Sequence, residues 1–122
     1  MDGRFVIVVE LPFPPAALSG HANGNGRWRK VALTKQLRLE ARRLTEAQGW
    51  IELPPKGDIP ISVLFVPPDG RGDRWNMPAR AKAQIDGIAD ALGVNDRRFL
   101  PSISFGGPEK PGKVVVTIGG VE

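Results

Sequence analysis

The spacing of apolar positions divides this chain into short strand-like and helix-like segments separated by proline- and glycine-rich stretches. Arg4 to Leu11 (RFVIVVEL) is a β-branched run stopped by Pro12, Pro14 and Pro15, the pattern of a well-buried strand. From Ala16 to Lys30 small, polar and glycine residues predict a loop with little apolar surface to bury. Thr34 then suits the N-cap of a first helix running to about Gln48, with Leu37, Ala41, Leu44 and Ala47 inward and Gly49 as its stop. Ile59 to Val66 (IPISVLFV) predicts a second strand. Ile103 to Phe105 and Lys113 to Ile118 predict a third and a fourth, joined by GGPEKPG as a hairpin loop.

The second helix is the most sharply drawn. Asn76 suits an N-cap and Pro78 falls in the first turn, where a missing N–H is harmless. Met77, Ala81, Ile85, Ile88 and Leu92 recur on one face, and Gly93 can take the left-handed conformation that closes a helix. The order β-α-β-α-β-β predicts one small α/β (α+β) domain over residues 1–122, a mixed four-stranded sheet with two main helices packed on it.

Composition narrows the chemistry. The chain has no cysteine, which excludes disulfides, thiolate metal sites and cysteine nucleophiles. No apolar run approaches the ~20 residues of a membrane span and nothing resembles a signal peptide, so the expected location is the cytoplasm, with no membrane partner. Seventeen Lys+Arg against 13 Asp+Glu give a formal charge of +4, which favours a polyanionic partner. The cations crowd between Arg27 and Arg43, where Glu40 is the single acid, whereas acids cluster around the second helix.

Both clusters admit two readings. Trp28 among Arg27, Arg29 and Lys30 suits stacking on a base while the cations neutralise phosphates, and equally suits packing beside a helix start. Lys35, Arg38 and Arg42 share one helix side, as a DNA contact or a solvated face. Lys82, Asp86 and Asp90 recur at i, i+4 and i+8, also the pattern of a solvated face, but Asp73 before the helix and Asp96 after it add carboxylates able to bind a hard cation. Arg97 and Arg98 could hold a phosphate or neutralise Asp90 and Asp96. His21 has no second histidine to build a site with and receives no role.

The run Asp73-Arg74-Trp75-Asn76, then Lys82, then Asp86-Gly87-Ile88-Ala89-Asp90-Ala91-Leu92-Gly93-Val94-Asn95-Asp96 resembles the signature of the RusA-type Holliday-junction resolvases, especially phage and prophage members. Leu11-Pro12-Phe13-Pro14-Pro15 resembles that family's N-terminal motif. The resemblance implies a RusA-like fold and a homodimeric, metal-dependent DNA endonuclease of bacterial or phage origin. Such an enzyme resolves four-way junctions by paired nicks in recombination and repair. Asp73 and Asp96 would be ligands to Mg²⁺, with Mn²⁺ as the alternative metal and no small-molecule cofactor. Lys82 would stabilise phosphate charge or orient the water, and Asp86 and Asp90 are further acids of the same stretch. Two positions depart from the family: Trp75 stands where it has its second aspartate, and Asn95 where it has the first of a closing acidic pair. Neither residue can serve as an anionic ligand. These departures support an alternative, a catalytically degenerate branched-DNA binding protein, and a basic structural protein is a third reading.

Length poses a last question. A helix from Met77 to Leu92 is about 24 Å long at about 1.5 Å per residue, with Asp73 and Asp96 beyond its opposite ends. Either the flanking loops fold back along the helix, or the two acids meet across a dimer axis.

Overall fold

The computed structural model describes residues 5–18 and 25–119. It is an α+β fold in which a four-stranded mixed sheet, in the order β1-β4-β2-β3, carries helices on one face. Strand β1 is Val6–Pro12, β2 Ile59–Val66, β3 Phe99–Phe105 and β4 Lys113–Gly119. The central strand β4 pairs antiparallel with both β1 and β2, and β3 pairs parallel with β2 at the edge. The GGPEKPG segment is therefore no hairpin loop: β2 lies between β3 and β4, and the segment carries the chain across it. A parallel β2–β3 pair needs a long crossover, which the second helical segment supplies.

Period-two alternation sends one set of side chains into the core. Three rows cross the sheet: Ile7-Ile118-Ile61-Pro101, Val9-Val116-Val63-Ile103 and Leu11-Val114-Phe65-Phe105. The first three members of every row are at most 4 % exposed, while on β3 Ile103 is 44 % and Phe105 37 % exposed. The helices cover β1, β4 and β2 and leave β3 half bare.

Helix α1 spans Asn25–Glu46, starting well before Thr34. Thr34 lies inside it, its hydroxyl donating to the Lys30 carbonyl at 2.8 Å. Arg27 to Lys30, expected in a loop, thus form its first turns. Leu37 and Ala41 are buried as the spacing predicts, whereas Ala47 lies beyond the helix and is exposed. His21 lies outside the described residues.

The second helical segment is two helices, α2 (Met77–Arg80) and α3 (Lys82–Leu92), with Ala81 at φ −92°, ψ 1° between them. Asn76 makes no side-chain cap. The carboxylate of Asp73 does that work one turn earlier, accepting from the Trp75 amide at 3.0 Å and the Asn76 side chain at 3.4 Å. Gly93 ends α3 at φ 69°, as expected. Helix α3 crosses α1 so closely that a Cβ on Gly87 would collide with the Arg38 carbonyl and lie 2.9 Å from the Ala41 Cβ. That close approach aligns the polar edges of the two helices.

Candidate functional site

The exposed edge of α3 carries a row of ion pairs. Lys82 Nζ lies 2.6 Å from Asp86 and 2.7 Å from Asp96. One turn on, the Arg38 guanidinium of α1 grips Asp90 through two bonds, Nε at 2.6 Å and a terminal nitrogen at 2.9 Å. The hydrogen bond from Arg38 holds the Asp90 carboxyl below the usual carboxylate range, and that from Lys82 does the same to Asp96. Reciprocally, Asp86 first and Asp96 second raise the Lys82 ammonium, and Asp90 raises Arg38.

Asp96 reaches Lys82 because the chain folds back after Gly93. Asn95 Oδ1 accepts from the Arg97 amide at 2.9 Å and caps a single 3₁₀ turn, Asp96–Arg98. The structure thereby brings Lys82 and Asp96 together, at the level of Asp86 rather than beyond the helix end. Asp73 makes its hydrogen bonds within its own turn, to the Trp75 amide and the Asn76 side chain. It lines a cavity of about 330 Å³ with Asp69 and Gly106, whereas Asp96 borders a different one, about 210 Å³, between the α2–α3 segment and β3.

Among the described residues no group of three or more His, Asp or Glu side chains gathers closely enough to hold a metal ion. Asp96 is neutralised by Lys82, and Asp73 is occupied by its own turn.

The cations divide into two groups. Arg38 is spent on Asp90, Arg42 lies 3.2 Å from Glu46, and Arg98 donates to the carbonyls of Pro54 at 2.7 Å and Gly57 at 2.9 Å. Arg98 thus ties down the 54–57 turn. Arg27, Arg29 and Lys35 are exposed along α1 and form no ion pair with a described residue, and Trp28 beside them is 75 % exposed rather than packed. Arg27, Lys30 and Lys35 border a shallow cavity of about 330 Å³ with Val31 and Thr34. Arg97 is exposed beside Asp96 and helps hold its carboxyl low.

Sequence reasoning missed three residues. Arg80 donates to the Pro14 carbonyl at 2.6 Å and lies over the Phe13 ring at 5.1 Å, pinning the proline segment. Gln84, buried, donates to the Pro12 carbonyl at 2.9 Å for the same purpose. Arg74 lies 5.8 Å above the Phe105 ring, at the mouth of a cavity of about 430 Å³ lined also by Trp75, Pro78 and Ile103. The absence of charge from FLPSISF was the available signal for that last surface.

No helix among the described residues is long and apolar enough to cross a membrane. No family model matches this chain. A solved structure titled "IspF (Plasmodium falciparum) CDP complex" aligns over 95 % of this chain and 92 % of its own at 13 % identity, with a TM-score of 0.25, too low to indicate a common fold. A protein of Xylella fastidiosa (strain Temecula1), described as uncharacterized, is 40 % identical over 115 residues, which cover 91 % of this chain and 74 % of that protein. At that identity and coverage, this chain belongs to the same family as the Xylella fastidiosa protein.

Proposed function

We propose that this is a RusA-like protein that binds branched DNA through the exposed cationic side of α1. The observation that carries the reading is the display of Arg27, Arg29 and Lys35 around an exposed Trp28 on one rigid helix. Unpaired cations on a helix can each neutralise a phosphate without first breaking an ion pair, and an exposed indole can stack on a base where strands part. Asp86, Asp90 and Asp96, along the edge of α3 and the turn after it, are held in ion pairs with Lys82 and Arg38, so they do not cancel this surface. Four-way junctions as the substrate class, and a homodimer as the acting form, come from the resemblance of the Asp73–Asp96 stretch to RusA-type resolvases.

A second reading, the metal-dependent endonuclease, is favoured by one contact: Lys82 and Asp96, which the resemblance assigns to one catalytic site, meet at 2.7 Å. Against it stand Trp75 and Asn95, which cannot serve as anionic ligands. Incubating the purified protein with an end-labelled four-way junction, with and without Mg²⁺, decides between the two. The binding reading expects a retarded complex and intact strands in both lanes. Paired nicks in the Mg²⁺ lane establish the endonuclease, and no complex in either lane removes both readings.

A further inference from the structure

The Phe105 end of β3 is built of planar groups. Phe105 lies on Phe65 with ring centroids 5.7 Å apart and planes at 24°, and the Arg74 guanidinium lies 5.8 Å above the Phe105 ring. Beside this stack opens the cavity of about 430 Å³ that Arg74 and Phe105 line with Trp75, Pro78 and Ile103. Trp75 is 92 % exposed, so its indole is left almost wholly to water. The cleft also offers hydrogen bonds. Gly106 donates its amide to the Phe65 carbonyl at 2.9 Å, so by the alternation of a parallel ladder Ser102 and Ser104 turn their backbone groups to β2, while Ile103 and Phe105 turn theirs outward. No strand among the described residues pairs with that outer side.

Charge and position indicate what fills it. The one charged residue lining this cavity is the cation Arg74. Asp96 lines only the adjoining cavity toward Phe99, and Asp73, next to Arg74 in sequence, spends its carboxylate on its own turn. An occupant with flat apolar faces, a polar rim and an attached negative charge matches these walls, and a nucleobase on its phosphodiester chain has all three. A purely apolar occupant would use neither the outward backbone groups nor the cation. The topology sets the cleft beside the cationic helix. Strands β1, β2 and β3 all run one way, antiparallel to β4. Helix α1 begins beyond the C-terminal end of β1, the loop carrying Trp75 leaves the C-terminal end of β2, and Phe105 is the last residue of β3. Arg27, Arg29, Trp75 and Phe105 thus gather toward one end of the molecule.

We propose that this cleft takes one unpaired nucleobase of the bound DNA, the base stacking on the Trp75 indole, its polar rim meeting the outward backbone groups of Ile103 and Phe105, and its phosphate facing Arg74. The inference rests on the branched-DNA reading and deepens it. Cations on α1 neutralise phosphates whether or not the bases are paired, whereas the cleft detects a base that has left its pair, as happens where arms meet. This gives Trp75 a role of its own at a position where the resembling family has an aspartate.

The test is the affinity of the full chain, by fluorescence anisotropy, for two four-way junctions that differ at one extra nucleotide inserted at the branch point. That nucleotide carries an unpaired base in one junction and is abasic in the other, so the phosphates are equal and the difference reads the base alone. The wild type is expected to favour the base-bearing junction about fivefold or more, the scale of one base stacked on an aromatic side chain. Trp75→Ala, at an exposed position, is expected to abolish that preference and leave affinity for the abasic junction unchanged, and Trp75→Phe to keep most of it. Joint replacement of Arg27, Arg29 and Lys35 by alanine is expected to weaken both complexes alike and preserve the ratio. Equal wild-type affinity for the two junctions, or a preference that survives Trp75→Ala, overturns the proposal and leaves the α1 reading standing. No binding to either junction removes the α1 reading and the proposal together. A wild type that sediments as a dimer without DNA, and as a monomer once Trp75 is alanine, would mean that a second copy fills the cleft, and overturns the proposal.

Discussion

Lys82 and Asp96 are separated by 14 residues and by the end of a helix, yet the ammonium lies 2.7 Å from the carboxylate, with Asp86 on its other side at 2.6 Å. A cation between two carboxylates favours the charged form of both partners. Carbon-13 NMR titration is therefore expected to show Asp96 and Asp90 ionising below 3.8, the value of an unperturbed aspartate. Because both are depressed only in the folded state, the stability they contribute is present above about pH 4 and lost as pH falls through their folded values. Urea midpoints should decline over that acid range. Lys82→Met should move Asp96 back upward and leave Asp90 in place; an unmoved Asp96 would mean that Lys82 does not hold it.

The packing of α1 on α3 rests on a residue without a side chain. Gly87→Ala drives a methyl group into the Arg38 carbonyl and the Ala41 Cβ, both parts of a rigid helix. Overpacking of this kind costs about 1–3 kcal/mol, so the thermal midpoint should fall by roughly 4 °C or more. Gly93→Ala, in open space but at φ 69°, should cost less, about 1 kcal/mol. Equal losses at the two positions would contradict the close-crossing account.

Arg38 and Lys35 are neighbours on α1 with different expected phenotypes. Arg38 holds Asp90 through two hydrogen bonds, so Arg38→Ala should lower stability by up to about 1 kcal/mol, since both partners are partly exposed. Lys35→Ala should leave stability unchanged and weaken DNA binding. Chemical denaturation and fluorescence anisotropy on the same two proteins check the separation, and the reverse pattern would put Arg38 in the DNA contact.

Much of the fold could be read from the chain, because local signals and tertiary demands agreed where they were strong. The β-branched run of β2 gave its bounds as Ile59–Val66, and Gly93 closes α3 as a left-handed glycine should. Errors arose where a long-range partner decides. Thr34 has the chemistry of a cap, but the helix continues upstream past it, and its hydroxyl bonds back to Lys30. GGPEKPG looks like a hairpin because turn residues do not reveal that β2 will insert between the strands they connect. At the site, the sequence placed Lys82, Asp86 and Asp90 on one side of a helix. It did not show that Arg38 would arrive from α1 to neutralise Asp90, a contact across 52 residues.

The two departures from the resembling family yield a gain-of-function experiment. Trp75 is almost fully exposed, and Asn95 uses only a side-chain oxygen to cap its turn, so Trp75→Asp with Asn95→Asp should fold normally. The added carboxylates are expected to produce Mg²⁺-dependent nicks in a junction that the wild type leaves intact. A variant as inert as the wild type would show that missing ligands are not what separates this chain from an active nuclease.

The central claim, branched-DNA binding through α1, is tested most directly by the salt dependence of four-way junction affinity. Each phosphate neutralised on a duplex arm contributes roughly 0.9 to the slope of log K against log salt. The wild type should bind the junction more tightly than a duplex of equal length. Joint replacement of Arg27, Arg29 and Lys35 by alanine should flatten the slope by about 0.9 for each cation that touches a phosphate. An unchanged slope and affinity in the triple variant, or equal affinity of the wild type for junction and duplex, would contradict the account.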